Sequence, residues 1–357
     1  MRIRLKTGFL FLYLLLLVGC SPRLAPPTPG LPAAPTNPAI PAGLTQEQYV
    51  TLSSLQKVEN YPLYVMHYSG AYRQRTEISP PGNFAASTAS SPSWACSLFT
   101  VLLGEDHLLY GRNFDWQFSP ALLLFTDPPD GYASVSMVDI EYLDVDSATI
   151  VNIAGLPIDE RIGLLDAPYL PFDGMNEYGL AIGMAAVPSG NMQLDANRET
   201  IGSLGIMRQM LDHARNVDEA VGIMKSYNID FTDGPSLHYL MADAKGESVL
   251  VEYYDREMQV IRNEESWNIA TNFLRSSVDD SADGNCWRYD KINTRLTEAN
   301  GRIDAQAAMQ LLADVAQNNT QWSVVYQMNS GMINVVMGQQ YRNIHQFQLD
   351  LVSQKDN

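Results

Sequence analysis

Trp94-Ala95-Cys96-Ser97-Leu98-Phe99-Thr100-Val101-Leu102-Leu103 is the stretch on which the reading of this chain turns. A soft segment rich in Ser, Pro, Ala and Gly, residues 79–93, stops abruptly there, and a dense β pattern begins on Cys96. Apolar runs of strand length, parted by turn residues, follow at 96–103, 107–112, 121–126 and 132–140. Further runs of the same kind lie at 180–187, 237–242, 248–254, 258–262, 322–327 and 332–337. Helical spacing interrupts them three times. Ser203 is placed to cap a helix carrying Leu204, Met207, Met210 and Leu211 on one face, Asp218 a second with Val221 and Met224 inward, and Asp304 a third with Ala308, Leu311, Leu312 and Val315. Strands in blocks and helices in blocks predict an α+β fold rather than a regular βαβ alternation.

Upstream of the junction, Tyr61 to Tyr72 reads as a strand, with Tyr64, Met66 and Tyr68 on one face, and Thr45 with Gln48 reads as a capping box opening a short helix through Leu55. The globular part thus starts near Leu44. Before it, residues 20–43 form a tether punctuated by Pro22, Pro26, Pro27, Pro29, Pro32, Pro35, Pro38 and Pro41, a composition that makes an extended spacer and no core. At the start, Arg2, Arg4 and Lys6 precede an apolar run of about eleven residues, too short to span a bilayer comfortably but suited to a secretory leader. It ends in Leu17-Val18-Gly19-Cys20, which resembles the lipobox of bacterial lipoproteins. That resemblance implies a leader at 1–19, lipidation of Cys20 and a place outside the cytoplasm, held to a cell membrane or outer membrane. The segments are then 1–19 leader, 20–43 tether, 44–95 pro-segment and 96–357 catalytic domain.

The 357 residues are 46% hydrophobic and 18% charged, too apolar for a disordered chain and long enough for one large domain or two ordinary ones. Lys and Arg number 23 against 40 Asp and Glu, a formal net charge of −17 that argues against nucleic acid as a partner. Three cysteines make no disulfide framework, and no Cys/His spacing resembles a zinc site, so no metal or other cofactor is expected.

Chemistry concentrates around Cys96. Fifteen positions on begins Gly111-Arg112-Asn113-Phe114-Asp115-Trp116, which places charge where a strand should end. A cation near a thiol favours the thiolate, and a carboxylate can orient a base, although by itself such a cluster reads as a hairpin salt bridge and a lone buried cysteine as inert core. Cys286 is a rival partner: a disulfide with Cys96 would leave no nucleophile. A papain-like Cys–His pair drawing on His107, His213 or His238 is a second reading, but no C-G-S-C-W-like stretch accompanies it. A non-enzymatic envelope lipoprotein that binds a ligand or partner is a third.

The quoted motifs resemble those of the choloylglycine hydrolase, penicillin V acylase and acid ceramidase-like hydrolases of linear amides. Asp173-Gly174-Met175-Asn176-Glu177-Tyr178-Gly179-Leu180 is similar to the D-G-M-N-E-x-G-L turn of that family, Ala270-Thr271-Asn272-Phe273 to its T-N segment, and Cys286-Trp287-Arg288-Tyr289 to its late arginine motif. The resemblance implies an N-terminal-nucleophile hydrolase, a four-layer αββα sandwich of two antiparallel sheets. It implies that cleavage at Ala95-Cys96 makes Cys96 the first residue and thiol nucleophile, its own α-amine the general base, and Asp115 the acceptor that orients that amine. Arg112 and Arg288 would favour the thiolate, and Asn176 and Asn272 would hold the oxyanion by side-chain or backbone N–H. A thioester acyl-enzyme, resolved by water, completes the implied cycle, with an acyltransferase on the same site as an alternative. Relatives act on bile salts, penicillin V, N-acyl homoserine lactones and N-acylethanolamines, so a small N-acyl amide is the implied substrate class. Residues 122–125 and 128–132 are candidates for its acyl pocket. In acid ceramidase-like relatives the short N-terminal chain stays bound, which implies a retained non-covalent subunit here.

Overall fold

The computed structural model describes residues 40–72, 95–103, 108–143, 145, 149–188, 190–232, 234–278 and 282–352. The expected leader, Cys20, residues 21–39 of the tether, the soft loop 79–93 and His107 lie outside the described residues. The described chain opens with α1 (Gln46–Ser53), β1 (Gln56–Glu59) and β2 (Leu63–Tyr68), followed by β3 (Ala95–Val101), β4 (Leu109–Asp115), β5 (Ala121–Thr126) and β6 (Ser134–Asp139). After three 3-10 segments come β7 (Asp173–Asn176), β8 (Ala181–Ala186), β9 (Glu199–Gly202), α2 (Gly205–His213), α3 (Val217–Ser226), β10 (Tyr227–Asp230), β11 (Leu237–Ala242), β12 (Ser248–Tyr254), β13 (Glu257–Arg262) and β14 (Trp267–Ala270). A short 3-10 turn (Arg275–Ser277) leads to α4 (Trp287–Glu298), α5 (Ala305–Asp314), β15 (Thr320–Gln327), β16 (Met332–Met337) and β17 (His345–Gln348).

Two sheets carry the fold. One runs β1-β2-β5-β6-β7-β8-β11-β12-β13, and the other β14-β3-β4-β15-β16-β17, while β9 and β10 form a separate parallel pair. Both large sheets are antiparallel except for the parallel β2–β5 pair. Helices α2 and α3 cover the nine-stranded sheet, and α4 and α5 the six-stranded one, which gives the expected helix–sheet–sheet–helix sandwich. The period of two decides which residue meets which layer. In β3 and β4, Leu98, Tyr110 and Arg112 point between the sheets, whereas Phe99, Val101 and Leu109 join Ile292, Leu296 and Leu312 beneath α4 and α5. Gly111 fits this second layer because the Phe99 ring lies across it; a Cβ there would sit 2.6 Å from the ring.

Several expectations shift. The capping box at Thr45 and Gln48 is present and the Asp304 cap holds, its side chain accepting from Ala307 N. Ser203 does not cap α2, whose N-cap is Leu204 without a side-chain bond. Asn216, not Asp218, caps α3; Asp218 sits in the first turn, where an acid still favours the helix dipole. The strand predicted over 61–72 is only Leu63–Tyr68. β4 does not end before the polar cluster but runs through it to Asp115, and the Arg112, Asn113 and Asp115 side chains each make hydrogen bonds there.

Candidate active site

Cys96 is the second residue of β3 and is buried, paired with Phe114 across the β3–β4 ladder. Residues on one face of an antiparallel pair alternate, so Cys96, Phe114, Leu98 and Arg112 look into the sandwich while Ala95, Ser97, Asn113 and Asp115 look toward the helices. The site is therefore built on both faces of a single hairpin.

On the inner face, Arg112 is fully buried and its Nη2 lies 3.9 Å from Cys96 Sγ and 3.9 Å from Met184 Sδ. Its Nη1 donates to Asp173 Oδ2 at 2.7 Å and to the carbonyl of Phe172. Asp173, the first residue of β7, also accepts from the Tyr326 hydroxyl and from Trp322 Nε1 at 3.3 Å. Beside the thiol, Phe114 stacks on Trp322 with centroids 4.0 Å apart and meets Phe172 edge-on at 5.3 Å. Burial alone would lower the Arg112 pKa, but the Asp173 carboxylate, with the Cys96 sulfur beside it, outweighs this and the guanidinium is held above its ordinary value. Burial pushes the Cys96 thiol up, against the pull of Arg112, and Asp115 adds to the rise. Arg112 thus acts in the direction expected of it, favouring the thiolate, without outweighing burial in this continuous chain.

Three long-range partners converge on the main chain of Cys96 and on the other face of the hairpin. β14 pairs with β3 so that Ala270 faces Leu98, and the same register two residues on sets Asn272 against Cys96. Asn272 Oδ1 accepts from Cys96 N at 2.7 Å, and its Nδ2 donates to Ala186 O at 2.7 Å. Arg288, in the first turn of α4, is buried; it donates to the Cys96 carbonyl, to Ser97 Oγ at 3.0 Å and to Asn272 Oδ1 at 2.8 Å. Asp115 faces Ala95 across the ladder and accepts from Thr320 Oγ1 and from Gln317 Nε2 at 2.9 Å. Burial pushes the Asp115 carboxyl up, although Thr320, Gln317 and the two arginines oppose it.

The structure thus gathers Cys96, Arg112, Asp115, Asn272 and Arg288, and leaves Asn176 out. Asn176 Nδ2 donates to Leu211 O at 3.0 Å and Ala214 O at 2.7 Å, and its Oδ1 accepts from Tyr178 N and Leu180 N. With both donors spent on α2 and its C-cap and its carbonyl on the β7–β8 turn, the Asn176 side chain has its hydrogen-bonding groups engaged away from Cys96. Asn272 likewise presents oxygen, not N–H, to Cys96. Asp115 meets Thr320 and Gln317 rather than the Cys96 nitrogen, and Arg288 grips the Cys96 carbonyl rather than its sulfur.

Asp173, Gln317 and Thr320 were not singled out from sequence. Asp173 stood in plain view at the head of the D-G-M-N stretch, whereas the 317–320 turn carries no local signal. Of the rivals, Cys96 and Cys286 are both free thiols, and His238 Nδ1 is tied to Glu252 Oε1 at 3.0 Å. Leu122, Leu123 and Leu124 are core, while Pro128, Pro129, Asp130 and Gly131 line a cleft of about 340 Å³ with Tyr72 and Asp212.

A sandwich of this layering with a cysteine opening a central strand defines an N-terminal-nucleophile type of amide hydrolase. The chain belongs to the choloylglycine hydrolase family of linear amide C–N hydrolases, whose family model matches residues 96–276 and so begins on Cys96 itself. Its fold is similar to that of a mutant conjugated bile acid hydrolase from Clostridium perfringens, at TM-score 0.50 and 16% identity over 71% of this chain and 92% of that one. It is similar to the same degree to penicillin V acylase from Agrobacterium tumefaciens, at TM-score 0.50 and 16% identity over 73% of this chain and 88% of the other. The enzyme is accordingly a hydrolase of non-peptide carbon–nitrogen bonds in linear amides.

Proposed function

We propose that this enzyme hydrolyses small N-acyl amides with Cys96 as nucleophile, after the chain is cut between Ala95 and Cys96. The observation that carries the proposal is that Cys96 has a separate partner for each reactive atom: its nitrogen bonds Asn272 Oδ1 at 2.7 Å and its sulfur lies 3.9 Å from Arg112 Nη2. The start of the family match on Cys96 supports the same position for the new terminus. Once free, the α-amine titrates near pH ~8 and can take the thiol proton. Sulfur then adds to the amide carbon, the C–N bond breaks as the α-ammonium passes that proton to the leaving nitrogen, and water hydrolyses the thioester to release the acid and restore the thiol. Asn272 holds the amine in place, and Asp115 supplies negative charge across the ladder from the cut.

We further read residues 44–95 as a subunit that stays after the cut. β2 pairs in parallel with β5 along its length, Tyr61 Oη donates to Gln321 Oε1 at 2.9 Å, and His345 Nε2 lies 2.8 Å from Glu59 Oε2. Strand pairing of this kind leaves main-chain groups unsatisfied on separation, which favours retention. Lipidation at Cys20 would then hold the assembly at an envelope membrane. Assay of amine release from conjugated bile salts, penicillin V, N-acyl homoserine lactones and N-acylethanolamines, with Cys96→Ala as blank, tests the proposal. Release by the wild type alone supports it, and equal release by the variant removes the thiol mechanism.

A further inference from the structure

We infer that Asp173 is the positioning residue of the thiol site: it fixes the Arg112 guanidinium so that Nη2 is left to the Cys96 sulfur. The inference rests on the reading of Cys96 as nucleophile. Arg112 stands on β4 of the six-stranded sheet and Asp173 on β7 of the nine-stranded sheet, so their ion pair spans the interior of the sandwich. Both side chains are fully buried, and a buried guanidinium without a counter-charge is strongly destabilising. The guanidinium is a planar fork, so holding one arm sets the other. Nη1 is held by Asp173 Oδ2 at 2.7 Å and by the Phe172 carbonyl, and this turns Nη2 toward two sulfurs, Cys96 Sγ and Met184 Sδ, each 3.9 Å away.

Asp173 cannot follow the guanidinium if it swings. Its Oδ1 accepts from Tyr326 Oη and its Oδ2 from Trp322 Nε1, and both donors stand on β15, the strand next to β4. The carboxylate is thus gripped by two buried side chains of the opposite sheet besides Arg112. Because Arg112 and Asp173 together are neutral, the sulfur meets a directed N–H rather than a free cation. Orientation of the fork, which Asp173 sets, then determines how far the thiolate is favoured.

The test is the pH dependence of iodoacetamide alkylation at Cys96, read by peptide mass in a Cys286→Ser background of the full chain. Asp173→Asn keeps the shape and removes the charge. The alkylation midpoint is expected to move up by about one pH unit in Asp173→Asn and equally in Arg112→Gln, and the double variant to move no further. A midpoint that stays or falls in folded Asp173→Asn, or shifts that add in the double variant, would overturn the inference. If Asp173→Asn does not fold, Tyr326→Phe removes one donor to Asp173 and keeps the charge; a smaller upward shift supports the inference and no shift overturns it. Alkylation is independent of turnover, so failure of the amidase reading, seen as hydrolysis by Cys96→Ala, is distinguishable from failure here.

Discussion

The side-chain oxygen of Asn272 accepts the main-chain N–H of Cys96 at 2.7 Å, although the two residues are 176 positions apart. The register of β14 against β3 makes this contact, and Arg288 Nη2 shares the same oxygen at 2.8 Å. Asn272→Ala removes the acceptor of both groups. We expect kcat/KM to fall by about 10²-fold or more while the fold survives, since the loss is local and polar. Steady-state hydrolysis beside a thermal melt checks this; near-wild-type turnover would show that the nitrogen needs no such anchor.

Asn176→Ala separates structure from catalysis. Four hydrogen bonds tie this residue to α2 and to its own turn, so its loss should cost about 1–3 kcal/mol of stability. The kcat of the folded fraction should stay within about twofold, whereas loss of an oxyanion donor costs 10²–10³-fold as an order of magnitude. A drop of that larger size at unchanged Tm would return Asn176 to the catalytic set.

What the sequence made legible were the elements whose signal is local. Apolar runs of strand length marked β5, β11, β12 and β16 with their observed bounds, and the Thr45 and Asp304 caps were readable because a cap lies within three residues of what it bonds. β7 is carried only by the strand-turn motif, with no apolar run of its own, and β14 is four residues long, too short to stand out as one. The site residues were recognisable by resemblance, but their hydrogen bonds were not. Whether Arg288 grips a sulfur or a carbonyl depends on where α4 begins relative to β3, a tertiary fact that no spacing along the chain encodes. Gln317 and Thr320 came to Asp115 for the same reason, through the pairing of β15 with β4.

Gly179 is where the β7–β8 turn requires glycine. Its φ is +74°, and a Cβ would lie 2.1 Å from the Met328 carbonyl oxygen, a main-chain atom that cannot rotate away. Gly179→Ala should therefore destabilise by more than the roughly 1 kcal/mol of a positive φ alone, with the steric clash adding to it. Urea unfolding of the variant gives the value, and a change within about 0.5 kcal/mol would contradict the turn geometry.

Asp139 predicts a pH dependence of stability. It is fully buried at the end of β6; its Oδ1 accepts from Ser119 Oγ and, at 3.0 Å, from Glu141 N, while its Oδ2 has no hydrogen-bond partner among the described residues. Burial raises its pKa from 3.8 to about 7. Between these values the folded chain holds a proton that the unfolded chain has released, so stability falls as pH rises through the window and levels off above it. Asp139→Asn should flatten this fall, which is bounded at about 4 kcal/mol. Urea midpoints at pH 5 and pH 8 for both proteins check the sign; an equal slope in the variant would assign the dependence to other buried acids.

Intact-mass measurement of the purified wild type and of Cys96→Ala tests the central claim most directly. The account predicts that the active wild type contains a species whose first residue is Cys96, and that Cys96→Ala remains one uncut chain without activity. An active wild type that is still continuous through Ala95-Cys96, or a Cys96→Ala chain cut at the same bond, would contradict it.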